Sequence, residues 1–263
     1  MFLAFTFAVV TGSASLDATK VTLSAPRPIV EFNVKKLKGE LFRLAWSPDG
    51  GQLYIQTIER NRVGVINAAH HYLVSLDGTP PKSVDTEPEW STKYWGWKSA
   101  QTAPGVPAFK IEVEQQQKRV SGTSLPMGGD LARGGSDGSS SGASMAGVST
   151  STNEAAAAAV QSQMVNYYTL KLKGEVVGEF VNAPAIPGVT FGWGPAGTGL
   201  IAFSSQPGRV VIMDDQGRKQ EIPSSKSTLL PAWTDDGKRL GYLERNGKDK
   251  VVLHVVDVTL PVQ

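Results

Sequence analysis

Cysteine is absent from the 263 residues, which excludes a disulfide framework, a thiolate metal site and a thiol nucleophile while leaving the cellular compartment open. Histidine occurs three times. His70 and His71 are sequence neighbours, so a strand would point them to opposite faces, and His254 stands alone. Without an H-E-x-x-H helix or any cysteine, no metal is expected. Charge of one sign is also lacking: 26 Lys and Arg against 24 Asp and Glu leave +2, with no basic run interleaved with aromatics, so no nucleic acid is expected as a partner. No glycine loop sits at a strand-to-helix junction to cradle a phosphate, and no cofactor is expected. Long apolar runs are missing too. The stretch Phe2 to Val10 is too short to span a bilayer.

That stretch is followed by Gly12, Ser13 and Ala14, small residues of the kind a signal peptidase cuts after. Residues 1–14 therefore read as an export signal, although no Lys or Arg precedes them. The other reading is an ordinary buried strand, since Leu3 to Phe7 is similar to Ile201 to Ser204. Hydrophobic residues at 40%, charged residues at 19%, and 28 Gly with 16 Pro describe a turn-rich globular chain, β-rich in expectation.

What the chain does contain is a repeat. Four tryptophans close short apolar runs that lead into turns: Leu44-Ala45-Trp46-Ser47-Pro48-Asp49-Gly50, Trp95-Gly96-Trp97-Lys98, Phe191-Gly192-Trp193-Gly194-Pro195 and Pro231-Ala232-Trp233-Thr234-Asp235-Asp236-Gly237. After each turn comes an alternating apolar run, at Leu53 to Ile55, Ala108 to Val113, Leu200 to Phe203 and Leu240 to Leu243. A third run follows, at His71 to Leu76, Tyr167 to Leu172, Val210 to Met213 and Val251 to Val256. Period-two alternation bounded by Asp-Gly-type turns is the signature of antiparallel strands. A weaker fourth strand appears around Ser83, Val176 to Phe180 and Gln220 to Ile222, and is missing after the last repeat. Ile29 to Val34 is the natural substitute. The expected fold is thus an all-β propeller over residues 28–260, with about four antiparallel four-stranded blades, the last closed by an N-terminal strand.

Leu44 to Tyr54, echoed from Pro231 to Tyr242, resembles the TolB-like propeller repeat, a WD40-like family marked by Trp-Ser-Pro-Asp-Gly before a Leu-x-Tyr strand. The third copy keeps Trp193 and Pro195 but has Ala196-Gly197 for Asp-Gly; the second has lost the turn sequence. The resemblance implies a bacterial, periplasmic or secreted scaffold that binds proteins or peptides, or the non-catalytic part of a peptidase. It also implies structural roles for Trp46, Pro48, Asp49, Gly50, Trp97, Trp193, Trp233, Asp236 and Gly237.

From Gln117 to Ser162 the composition collapses to Gly, Ser, Ala and Thr, with alanines from Ala155 to Ala159. Residues 118–163 read as a disordered insertion between the second and third strands of the second blade. Within it, Gly134-Gly135-Ser136-Asp137-Gly138 matches the G-x-S-x-G elbow but lacks the strand and helix an elbow needs. Asp214-Asp215 and Asp235-Asp236 read as hairpin turns rather than calcium loops. Trp90, Tyr94 and Trp95 are the candidate binding residues, since aromatics outside a core anchor partners or stack on sugars. No catalytic residue is assigned. The alternative, a glycan-active or peptidase-associated propeller, would need converging carboxylates, and Glu112, Glu114 and Glu179 show no uniting pattern. The expected function is a non-catalytic exported scaffold with a protein or peptide partner in a cell-envelope setting.

Overall fold

The computed structural model describes residues 15–60, 66–98, 102–120, 163–181, 191–205, 208–223, 225 and 227–261; the export-signal segment and the Gly134 to Gly138 match lie outside them. After a 3-10 turn at Ala18–Lys20 come β1 (Thr22–Leu23) and β2 (Arg27–Asn33), then a second such turn at Val34–Lys36. The first blade is β3 (Glu40–Trp46), β4 (Gln52–Arg60), β5 (Ile66–Ser75) and β6 (Lys82–Val84). Helix α1 (Glu89–Lys98) and a small hairpin, β7 (Thr102–Ala103) with β8 (Val106–Lys110), precede the second blade. That blade is β9 (Glu112–Val120), β10 (Gln163–Leu172) and β11 (Glu175–Val181). The third holds β12 (Phe191–Trp193), β13 (Leu200–Ser204), β14 (Val210–Asp214) and β15 (Lys219–Glu221), and the fourth β16 (Thr228–Trp233), β17 (Arg239–Arg245) and β18 (Lys250–Thr259).

Both faces of a central blade must be covered, because short antiparallel sheets otherwise leave apolar rows in water. Strand β14 is buried at every position, and β13 at all but its last. Alternation decides which neighbour each side chain meets. Ile201, Phe203, Val211 and Met213 join Phe109, Leu170 and Leu172 of the second-blade region, whereas Leu200, Ala202, Val210 and Ile212 join Trp233, Leu240 and Tyr242 of the fourth blade. A third cluster joins Leu44, Trp46, Leu53 and Ile55 of the first blade to Leu229, Leu243, Val251 and Leu253 of the fourth. The four sheets form a ring, a four-bladed β-propeller as the repeat predicts.

The ring is closed as expected by an N-terminal strand on the last blade. Strand β2 pairs antiparallel with β18, with Val30 opposite Leu253 and Phe32 opposite Val251. Glu31 accepts from Lys250 at 2.6 Å and from Asn246 at 2.8 Å on the outside of the seam. Strand β1 continues along the far end of β18, setting Leu23 opposite Val258. Residues ahead of 28 are also packed: Leu16, Ala18 and Val21 are buried on the third and fourth blades. The carboxylate of Asp214, itself buried, holds this segment by accepting from the Ala18 amide at 2.9 Å and from Arg218 Nε at 2.7 Å.

The repeat residues sit at strand ends and in turns, with one exception. Trp46, Trp193 and Trp233 end their inner strands with at most 1% exposure, each packed on the preceding blade. In the turns after Trp46 and Trp233 the same device recurs. Ser47 Oγ donates to Asp49 at 2.5 Å and Thr234 Oγ1 to Asp236 at 2.7 Å, while those carboxylates also accept from the Gly51 and Lys238 amides at 3.0 Å. Asx-type capping of this kind fixes the turn. Pro48 sits exposed at its corner. Gly50 and Gly237 follow at φ +65 and +69, where a side chain is strained.

The exception is the second blade. Trp95-Gly96-Trp97, expected to end its inner strand, lies in α1, and the sheet has three strands instead of four. Glu87-Pro88 starts the helix: Pro88 fixes φ where no amide is needed, and its carbonyl accepts from the Ser91 amide at 2.9 Å. Residues 118–120 and 163, expected inside the insertion, are strand; residues 121–162 lie outside the described residues.

Candidate functional site

Helix α1 packs between β3 and β12, so it completes the inner ring where the second blade has no inner strand. Of the three candidate binding residues, all on this helix, two are core. Tyr94 and Trp95 are each 5% exposed, their rings edge to face at 5.5 Å, and the Tyr94 hydroxyl donates to the Trp233 carbonyl at 2.8 Å. Burial pushes the Tyr94 phenol well above its ordinary value, with the charge of Asp235 adding to this, so it stays a neutral donor. They bind the helix to the propeller and present no aromatic platform to solvent. Trp90 is half-buried, edge-on to Tyr54 at 6.1 Å, and is the one of the three with an open face.

A polar row lines the seam between α1 and the first blade. The register sets Arg43, Gln56 and His71 side by side across β3, β4 and β5. Glu87 faces them from the start of the helix, accepting from Ser91 Oγ at 2.6 Å and from Gln56 at 3.4 Å. The Arg43 guanidinium lies over the Phe42 and Trp95 rings at 5.0 and 5.4 Å. Burial lowers its pKa, and Glu87 opposes that shift. Tyr54 and His71 Nδ1 are 2.6 Å apart, with the phenol raised above its ordinary range by burial and by the Glu87 charge. This seam is balanced in charge. Ser91 is fully buried with its hydroxyl committed to Glu87 and Pro88, so it braces the helix start and offers no nucleophile.

The remaining candidates separate. His70 and His71 do point to opposite faces: His70 Nε2 meets Glu59 at 3.0 Å while His71 meets Tyr54. His254 stacks at 5.3 Å on Tyr242, its register partner across β17 and β18 of the fourth blade. Among the described residues no group of three or more His, Asp or Glu is placed to hold a metal. Glu114 and Glu179 flank Thr169 in register, a relation the sequence did not show. Glu114 is engaged by Lys171 at 2.8 Å.

The second surface is the ribbon of β9 and β10. Nine residue pairs join them, from Glu112 opposite Lys171 to Val120 opposite Gln163. At about 3.4 Å per residue this is a ribbon of roughly 30 Å. Every residue from Glu112 to Gln117 is exposed, which means that neither face of this length of β9 is covered. Val113 alone leaves 44% of its surface in water. Strand β9 is also the edge of its sheet, and β10 is the one described element that packs along it to any extent.

No family model matches the chain, and no curated protein matches it. The fold therefore rests on the repeat and on the structure, and the site on its own geometry. Sequence reasoning missed the ribbon because polar strands such as Glu112 to Lys118 carry no apolar alternation.

Proposed function

We propose that this chain is a non-catalytic, exported scaffold of TolB-like type that binds a protein or peptide partner in the periplasm or outside the cell. The observation that carries the reading is the β9–β10 ribbon: an edge strand exposed on both faces, standing at the root of a 42-residue Gly-, Ser- and Ala-rich stretch, 121–162. Exposed sheet edges are a recurrent site of peptide capture, because backbone amides and carbonyls give affinity while alternate side chains give selectivity. The export signal read in residues 1–14 supports the location, and the Trp-Ser-Pro-Asp-Gly turn supports the family.

Among the described residues, several polar groups that could carry chemistry have structural partners. Ser91 braces α1, Asp49 and Asp236 shape turns, and Asp214 anchors the N-terminal segment. Trp90 is the aromatic available to a partner at the α1 seam.

The test is affinity capture from envelope extracts with the intact chain and with a form in which residues 119–162 are replaced by a short Gly-Ser turn, followed by mass spectrometry. A specific protein retained by both forms is the expected result, because the shortened form keeps Glu112 to Lys118 of β9. Retention by the intact chain alone shifts the binding element to residues 119–162, and none by either overturns the reading.

A further inference from the structure

Strand β9 reads Glu-Val-Glu-Gln-Gln-Gln-Lys-Arg-Val, acidic in its first third and basic in its last, with three glutamines between. Edge strands are commonly guarded by charge so that two copies repel each other. Here the signs are segregated, and the result depends on direction. A parallel pairing of β9 with another copy sets like charge against like. An antiparallel pairing centred on Gln116 sets position 114, glutamate, opposite position 118, lysine, twice over, because a two-fold axis repeats every contact. We infer that β9 pairs antiparallel with the β9 of a second copy of this chain, joining two three-stranded sheets into one sheet of six.

Three observations favour a second copy as the occupant. The charge pattern is self-complementary in antiparallel registers about the glutamines, and opposite charges directly across a strand pair are favourable where like charges are not. Glu112, Glu114 and Gln116 are exposed, so pairing displaces no packed side chain. Among the described residues, no element besides β10 makes more than slight contact along the strand. The interface is small. Nine residues of strand on each side bury less than the roughly 800 Å² per partner of a standard interface, which places the dimer in the micromolar range or weaker. The inference does not depend on the scaffold reading: a chain that fails to dimerise can still capture a partner by the same edge.

Sedimentation velocity over a series from low to high micromolar concentration tests it, at low and at high salt. The wild-type chain of 28.0 kDa is expected to shift from monomer to dimer across the series, with the shift weakened by salt. Lys118→Glu and Glu114→Lys each create two like-charge contacts in the dimer and are expected to weaken it about tenfold or more. The double exchange of Lys118→Glu with Glu114→Lys restores opposite charges and is expected to recover dimerisation. Glu114→Lys also removes the ion pair with Lys171, so circular dichroism and thermal melting of each variant are measured alongside. A wild-type chain that stays monomeric throughout, single variants that dimerise as well as wild type, or a folded double variant that stays monomeric would each overturn the inference.

Discussion

The indole N–H of Trp46 donates to the carbonyl of Ala232 at 2.8 Å, tying the inner strand of the first blade to that of the last. The ring is thus closed at two depths: at the rim by β2 on β18, and near the axis by this bond, with the Trp46 ring lying against Gly241 and beneath Arg239. Trp46→Phe keeps an aromatic ring but removes this buried hydrogen bond, and is expected to cost about 0.5–1.5 kcal/mol. Trp46→Ala adds a cavity and is expected to cost about 3–5 kcal/mol. Urea denaturation of the two variants beside the wild type measures both; a Trp46→Phe chain as stable as wild type would show that the bond contributes nothing.

Gly237 and Gly197 occupy equivalent turns at φ +69 and +79, but their surroundings differ. A Cβ on Gly237 would lie 2.4 Å from Pro195 Cγ of the neighbouring blade, whereas one on Gly197 meets nothing within 4 Å. Gly197→Ala should therefore cost only the backbone term of roughly 1–2 kcal/mol, and Gly237→Ala measurably more because the blades must also separate. Equal losses of thermal stability in the two variants would contradict the close approach.

Burial holds the His254 pKa below its ordinary 6.5, with Glu244 opposing the shift. The unfolded chain takes up a proton near that pH while the folded chain resists it, so stability is fully present above 6.5 and falls as pH drops from there through the folded value. The urea midpoint of the wild type should decline over this window, and that of His254→Gln should decline less. Identical slopes would place the dependence elsewhere. At lower pH a second decline is expected from Asp49, whose carboxyl is held below 3.8 by the Ser47 hydroxyl and the Gly51 amide.

Tyr94 and Trp90 separate packing from exposure on one helix. Tyr94→Phe leaves the Trp233 carbonyl unpaired and should lower stability by about 1–2 kcal/mol without altering partner capture. Trp90→Ala, at a half-buried position packed against the core, should lower capture yield as well as stability. Melting temperature and capture yield, read on both variants, check the assignment.

Three of the four blades were legible in the sequence because their Trp-containing turns and doubly buried strands repeat at a readable spacing, and because Ile29 to Val34 supplies the strand that the last blade lacks. The second blade was not. Trp95-Gly96-Trp97 shows the two-residue spacing of a strand and so predicts one. The helical signal was present in Trp90, Tyr94 and Trp97, spaced four and then three residues apart, after Glu87-Pro88. Competing periods in one short segment are resolved by tertiary packing, here by the space between β3 and β12 that α1 fills. The same packing turned Tyr94 and Trp95 from candidate ligand contacts into core. The N-terminal segment escaped notice because Leu16, Ala18 and Val21 are too few to announce themselves, and only Asp214, a buried acid in a hairpin, hints that something must be bound there.

The measurement closest to the central claim is site-specific photo-crosslinking in envelope extract, with the photoreactive residue placed in turn at Glu112, Glu114 and Gln116 on β9 and at Lys82 and Lys219 on the outer strands of the first and third blades. Apart from any self-crosslink between two copies at β9, the account predicts one dominant heterologous product from the β9 positions and none from the outer strands. A partner crosslinked only from the outer strands, or no product from β9 at all, would contradict it.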